Sequence, residues 1–165
     1  MKDLPLSQIR NEYTHGSLSI ADTSPYPSDQ LQYWLKQAIE AKVHEPNAMA
    51  LATANATGQP SVRYVLLRHL SAEGLTFYTN YNSPKARDIA ENPTITALFF
   101  WPELERQVRI QGKAEKLPGA RSDTYFATRP RANQISAWAS GQSEEIPDKA
   151  FLESRFAKIQ EQYKN

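Results

Sequence analysis

Apolar residues recur along this chain at two spacings, and the changes between them mark out its elements. After Ser28, which reads as an N-cap, Leu31, Trp34, Leu35, Ala38, Ile39 and Lys42 follow at helical spacing, with Asp29 at the positive end and Glu45-Pro46 as a stop. The period then shortens. Residues 48–55 read as a strand, 56–60 as a turn and 61–69 as an antiparallel return, and a second turn at 71–74 leads to a strand over 75–79. Such a meander leaves unpaired strand edges, which closure into a small barrel removes. Ser83 and Pro84 suit the N-cap and first position of a short helix over 85–91 that Asn92-Pro93 ends. A hairpin pairs 94–101 with 106–117. Helical spacing returns over 120–128, Arg129-Pro130-Arg131 bends the chain into 133–140, and a last helix starts at Pro147 and carries Phe151, Leu152, Arg155, Phe156, Ile159 and Tyr163. Residues 1–27 read as an arm, with a short helix over 9–13 broken by Thr14-His15-Gly16-Ser17 and Pro25-Tyr26-Pro27. The pattern as a whole is α+β, mainly β.

Composition narrows the chemistry more than the fold. The chain has 165 residues, enough for one domain with a real core, and 40% hydrophobic and 22% charged residues, the balance of a soluble globular protein. A net charge of +1 calls for neither nucleic acid nor an anionic membrane as partner. The absence of cysteine rules out disulfides, thiolate metal sites and a cysteine nucleophile. The first residues lack a signal-peptide core and no run reaches the ~20 apolar residues of a membrane span, so the expected location is cytoplasmic.

Arg63, Arg68, Arg106 and Arg109 fall within or at the ends of the strands. A cation on a strand must face solvent, a carboxylate or an anionic ligand. On spacing alone two readings stand: outward charges on a half-exposed sheet, the commoner fate of a lone arginine, with Gln107 on the surface and Tyr78 packed; or cations gathered round an anion. The helix start at Ser83-Pro84 has the free N–H groups to help hold a phosphate. Tyr125 and Arg129, four apart, share a helical face. His15, His44 and His69 have no metal-ligand spacing, and GxSxG, P-loop and GxGxxG motifs are absent. A site of arginine, lysine, tyrosine, glutamine and serine without a nucleophile suits a reaction whose hard chemistry belongs to a cofactor.

Several of these stretches, taken in order, resemble one family. Arg63-Tyr64-Val65-Leu66-Leu67-Arg68, Phe77-Tyr78-Thr79-Asn80, Leu104-Glu105-Arg106-Gln107-Val108, Gly112-Lys113-Ala114-Glu115, Tyr125-Phe126, Arg129-Pro130-Arg131, Gln134-Ile135, Trp138 and Gln142-Ser143 are similar to the pyridoxine/pyridoxamine 5′-phosphate oxidase family, from about Ile9 to the last residue. The resemblance implies an antiparallel, Greek-key-like split β-barrel with peripheral helices that binds FMN as a homodimer, with sites at the subunit interface. It divides the chain into an N-terminal arm over the active site, 1–27, and the FMN-binding domain, 28–165. It implies that Arg63, Tyr64, Val65, Leu66 and Leu67 lie along the flavin, that Tyr78 and Thr79 contact its ribityl-phosphate, and that Lys85 meets the phosphate. Gln107, Gln142 and Ser143 would reach the flavin from the partner subunit. Arg10 and Tyr13 would close over the substrate, and Arg68, Tyr125, Arg129 and Asn133 would hold its phosphate. No residue is singled out as catalytic. The implied reaction is oxidation of pyridoxamine or pyridoxine 5′-phosphate to pyridoxal 5′-phosphate, with oxygen giving hydrogen peroxide.

The chain departs from the family pattern at Arg68, where lysine is usual, at Pro84, where arginine is usual, and at Asn133, where serine is usual. The first exchange keeps the charge but replaces a point ammonium with a planar fork. The family also continues past the residue matched by Asn165 with strands that carry further flavin and substrate contacts. The chain is therefore expected to be a fragment or a shortened relative, and the alternative reading is a flavin- or pyridoxal-phosphate-holding split barrel of little or no turnover.

Overall fold

The computed structural model describes residues 5–10, 12–14 and 16–164. Residues 1–4, Asn11 and His15 of the expected arm, and Asn165, lie outside the described residues. The rest of the arm holds two 3-10 turns, Leu6–Gln8 and Ile20–Asp22. Ile9 and Arg10 follow the first turn in non-helical backbone, so the helix expected over 9–13 does not form there.

Helix α1 (Pro27–Glu40) begins one residue before the expected cap: Pro27 takes the first helical position, where its fixed φ and missing N–H cost nothing, and Tyr26 is the N-cap. Leu31 and Ala38 are buried, and Trp34 and Leu35 pack beside them. Strands β1 (Ala48–Ala54) and β2 (Pro60–Leu66) pair antiparallel, with Leu51 opposite Arg63. The chain then leaves this sheet. Strands β3 (His69–Ser71) and β4 (Gly74–Thr76) form a small ladder of their own, and α2 (Pro84–Glu91) follows. Strand β5 (Thr94–Trp101) returns beside β1 and β6 (Arg106–Lys113) beside β5, giving the sheet order β2-β1-β5-β6. This excursion carries the chain from β2 on one side of β1 to β5 on the other, the Greek-key-like step that the family resemblance implies.

Three strand ends fall two or more residues short of expectation, each where a partner runs out. The return expected over 61–69 stops at Leu66, opposite Ala48, the first residue of β1, and His69 begins β3. The strand expected over 75–79 stops at Thr76, which pairs with His69 at the start of β3, while Arg68 N–H donates to Thr76 O at 2.8 Å. Tyr78 and Thr79 therefore stand in irregular backbone. Strand β6 stops at Lys113, opposite Thr94, the first residue of β5.

Alternation sorts the sheet into two faces. Met49, Ala97, Phe99 and Trp101 point into the core against α1, joined by Val65, Val108 and Ile110; Leu51 is buried on the same sheet face, and Trp101 Nε1 donates to Pro46 O at 2.9 Å. The other face carries Ala50 and Ala52 between Val62 and Tyr64 on one side and Leu98 and Phe100 on the other. Tyr64 is 76% exposed, Val62 69% and Phe100 61%.

Helices α3 (Gly119–Thr128), α4 (Arg131–Ala139) and α5 (Lys149–Gln162) follow the sheet, and α4 packs on α5. The last is capped by Asp148, whose carboxylate accepts from Phe151 N–H at 2.7 Å, and not opened by Pro147. Gln134 locks the α3–α4 corner: its Nε2 donates to Phe126 O, Ala127 O and Arg129 O at 3.2, 3.2 and 2.9 Å. Gln134→Ala strands these carbonyls, and the expected loss is about 1–3 kcal/mol, read as a lower urea midpoint at unchanged slope.

Candidate functional site

The turn that enters α2 builds a cationic pocket. Asn80 O accepts from Ser83 N–H at 3.1 Å, which delivers Ser83 to the N-cap and Pro84 to the first helical position. The Ser83 side chain is fully buried yet caps no backbone N–H. It faces Lys85, which is only 7% exposed. Lys85 Nζ lies 3.2 Å from Thr79 Oγ1, 3.3 Å from Ser83 Oγ and 3.1 Å from Gln142 Oε1. All three are neutral oxygens, and among the described residues no carboxylate comes within ion-pair distance of Lys85. A buried ammonium held only by neutral acceptors is costly. Burial first, and the nearby Arg63 guanidinium second, hold Lys85 below the ordinary lysine range.

Arg63 stands on the core-facing side of β2 and is mostly covered. Its Nη1 donates to Thr53 Oγ1 at 2.7 Å and to Leu51 O at 3.2 Å, and its Nη2 lies 3.9 Å from Asp88 Oδ2 of α2. Asp88 also accepts from Thr53 Oγ1 at 2.6 Å. The pocket thus gathers two cations, Arg63 and Lys85, against one carboxylate, Asp88, beside the start of α2. Thr53 and Asp88 escape sequence reasoning: they lie 35 positions apart in no motif, and only the packing of α2 on β1 joins them.

The next residue back along the chain faces a second recess. Tyr78 stacks on Tyr125 of α3 with ring centroids 3.7 Å apart and planes 2° from parallel. Arg68 Cζ sits 6.0 Å from the Tyr125 ring centroid. The rings wall an open cleft of about 400 Å³ lined also by Arg68, His69, Arg121 and Thr124. Tyr78 and Thr79 therefore link the two pockets through a single peptide unit.

The other expected residues are placed as follows. Tyr64 points to the opposite face from Arg63, and Gln107 lies on Tyr64's face at the far edge of the sheet. Val65 and Leu67 pack into the core cluster, Leu66 is half-buried, and Leu67 N–H donates to Asn47 O at 2.8 Å. The backbone of Val65 and Leu66 lies along the outer edge of β2, which among the described residues pairs only with β1. The loop after α4 carries Gln142 to its own chain's Thr79 Oγ1, which donates to Gln142 Oε1 at 2.9 Å, and to Lys85 Nζ at 3.1 Å. Ser143 is exposed, with a left-handed φ of 65°.

The expected substrate set divides. Arg68 and Tyr125 line the cleft, and Arg129 and Asn133 do not. Arg129 is the C-cap of α3 and its guanidinium lies 5.8 Å over Phe126, while Asn133 is exposed on the first turn of α4. Arg10 and Tyr13 are exposed and neither lines the cleft; the adjoining arm is tied to the β5–β6 hairpin by Thr14 N–H donating to Glu105 Oε2 at 2.8 Å. Arg106 serves structure, donating to Gln37 Oε1 at 2.6 Å across the Trp34 ring. Arg121 and His69 are cleft residues that sequence reasoning missed, although Arg121 stands one helical turn before Tyr125.

Among the described residues no group of His, Cys, Asp and Glu could hold a metal ion, and no helix is long and apolar enough to cross a membrane. The family model described as pyridoxamine 5′-phosphate oxidase matches residues 35–163. A pyridoxine/pyridoxamine 5′-phosphate oxidase of Cupriavidus necator is 50% identical over 150 residues, covering 91% of this chain and 71% of the relative. One from Nostoc sp. is 44% identical over 163 residues, covering 99% of this chain and 76% of the relative. Among solved structures, PhzG from Burkholderia lata, in complex with tetrahydrophenazine-1-carboxylic acid, superposes with a TM-score of 0.81 at 32% identity, covering 84% of this chain and 69% of that one. A pyridoxamine 5′-phosphate oxidase-related, FMN binding protein from Nostoc punctiforme shares the fold, with a TM-score of 0.61 at 17% identity over 80% of this chain and 72% of that one. The architecture is that of the FMN-binding split barrels.

Proposed function

The chain belongs to the pyridoxamine 5′-phosphate oxidase family, and from that premise we propose that it oxidises pyridoxamine and pyridoxine 5′-phosphates to pyridoxal 5′-phosphate, with FMN as cofactor and oxygen reduced to hydrogen peroxide. The observation that carries this reading is the nearly buried Lys85, ringed by neutral oxygens and lowered by burial and by Arg63. Such a cation is a standing cost unless an anion joins it. A flavin phosphate fits it: Lys85 and Arg63 supply charge, Thr79 and Ser83 hydroxyls and the start of α2 supply donors. FMN, when bound, supplies the two-electron acceptor and its reoxidation by oxygen.

The chain's own residues bind and align. The outer edge of β2 at Val65 and Leu66 offers backbone groups to the ring. Arg68 and Tyr125 hold the substrate phosphate in the cleft, so that the oxidised carbon is fixed relative to the flavin. Arg129 and Asn133, on the α3–α4 corner beside Tyr125, complete that grip when a phosphate draws the guanidinium off Phe126. Arg10 and Tyr13 close the arm, 1–27, over the entrance to the 28–165 domain. Gln107 and Ser143 serve a second copy: Gln107 is on the opposite sheet face and edge from Arg63, so one chain cannot bring both to one ligand. The exposed side chains of Val62, Tyr64 and Phe100, with the half-buried Leu98 on the same face, suit the surface of that homodimer. A chain without cysteine suits the cytoplasm as its place of action.

The test is an absorbance spectrum of the purified protein followed by anaerobic addition of pyridoxamine 5′-phosphate. Flavin bands that bleach, then recover on admitting oxygen with pyridoxal 5′-phosphate and peroxide formed, are the expected result. A colourless protein that takes up no added FMN overturns the cofactor, and a yellow one that never bleaches leaves a binding protein without turnover.

A further inference from the structure

Resting on that reading, we propose that Arg121 is a specificity-determining residue of the cleft, which with Arg68 grips the anionic end of the substrate. Arg121, Thr124, Tyr125 and Thr128 recur on α3 at spacings of three and four, and all four line the cleft. The opposite wall is Arg68, His69 and Tyr78. Two guanidinium groups thus border one recess, with no carboxylate in its lining.

Arg121 is exposed on the cleft side of α3. It forms no ion pair among the described residues. It sits in the first turn of α3, where a cation opposes the helix dipole and where no acidic residue offsets it. A planar guanidinium one helical turn from Tyr125 can present two N–H groups to a phosphate oxygen pair while the ligand's flat ring lies near the tyrosines. Arg68, where the family usually has lysine, then forms half of a two-arginine clamp.

The experiment compares the FMN-loaded wild type with R121Q and R121K, using pyridoxamine 5′-phosphate and unphosphorylated pyridoxamine as substrates. Losing one contact to a charged group predicts a KM for the phosphorylated amine raised about ten- to a hundredfold in R121Q. kcat, flavin affinity and the KM for unphosphorylated pyridoxamine stay near wild type, and R121K recovers part of the loss. An R121Q variant with wild-type KM overturns the proposal, as does one in which both amines suffer equally. Equilibrium binding of pyridoxal 5′-phosphate separates this idea from the reaction. A wild type that holds flavin and binds pyridoxal 5′-phosphate through Arg121, yet oxidises neither amine, upholds the clamp and ends the oxidase reading. A wild type that binds no pyridoxal 5′-phosphate ends both.

Discussion

Lys85→Met leaves a folded protein that binds flavin roughly ten- to a hundredfold more weakly. Methionine matches the lysine stem in length and removes the ammonium that Thr79, Ser83 and Gln142 surround. The empty protein loses nothing by this exchange, because the cost of holding a nearly buried charge goes with the charge; its thermal midpoint stays level or rises. The ligand-bound state loses a charge-assisted contact of about 1.5–3 kcal/mol, or roughly ten- to a hundredfold in affinity. Flavin titration followed by fluorescence quenching measures this, and wild-type affinity in the variant sinks the phosphate assignment.

The same residue sets a pH dependence whose sign follows from its lowered pKa. In the empty protein Lys85 binds its proton less tightly than in the unfolded chain, by burial first and Arg63 second. Its contribution to stability therefore rises as pH climbs through the lowered value towards the ordinary lysine range. An arriving phosphate favours the protonated amine, so binding takes up a proton and affinity falls over that pH window. Calorimetric titrations in two buffers of different ionisation enthalpy report the uptake in wild type, and none in Lys85→Met.

Tyr64→Glu is expected to yield a monomer that has lost its flavin. Tyr64 projects from the sheet face opposite the core and is 76% exposed in the single chain, so the substitution leaves the fold intact. In a symmetric dimer built on this face, a carboxylate would be carried into an apolar contact with no partner cation to receive it. Ala50 and Ala52 on β1 keep the centre of the face low and let another sheet approach closely, while Val62 and Phe100 flank it. Sedimentation velocity gives the mass, far-ultraviolet circular dichroism the fold, and the flavin bands the cofactor. A variant that sediments with wild type and stays yellow moves the dimer surface elsewhere.

Local signals in the chain were clear wherever a single element decided the outcome. The helical spacing of Leu31, Trp34, Leu35 and Ala38 foretold the face that α1 buries, but Ile39 of the same stripe, near the helix end, stands exposed. Ser83-Pro84 foretold the start of α2, since an N-cap and a first-position proline act within one turn. The β5–β6 hairpin was legible because β-branched and aromatic runs met across Pro102-Glu103-Leu104-Glu105. Strand ends were less so, because Thr76 and Lys113 stop where their partners stop. Arg63 shows the limit for charged residues: alternation places it on the core side of β2, but not its attachment to Thr53 and Asp88.

By itself the amino-acid order did not decide where the strands end, but it determined the main helices and the strand pairs, the family likeness and the types of side chain available for an anion. Those depend on interactions within a few residues, or on motifs carried whole. Only the tertiary structure decided that Gln142 stands on Lys85 across 57 positions, that Tyr125 stacks on Tyr78, and that Arg121 rather than Arg129 borders the cleft. Such contacts are selected by how helices settle on the sheet and which rotamers that leaves open, and no periodicity along the chain records that choice.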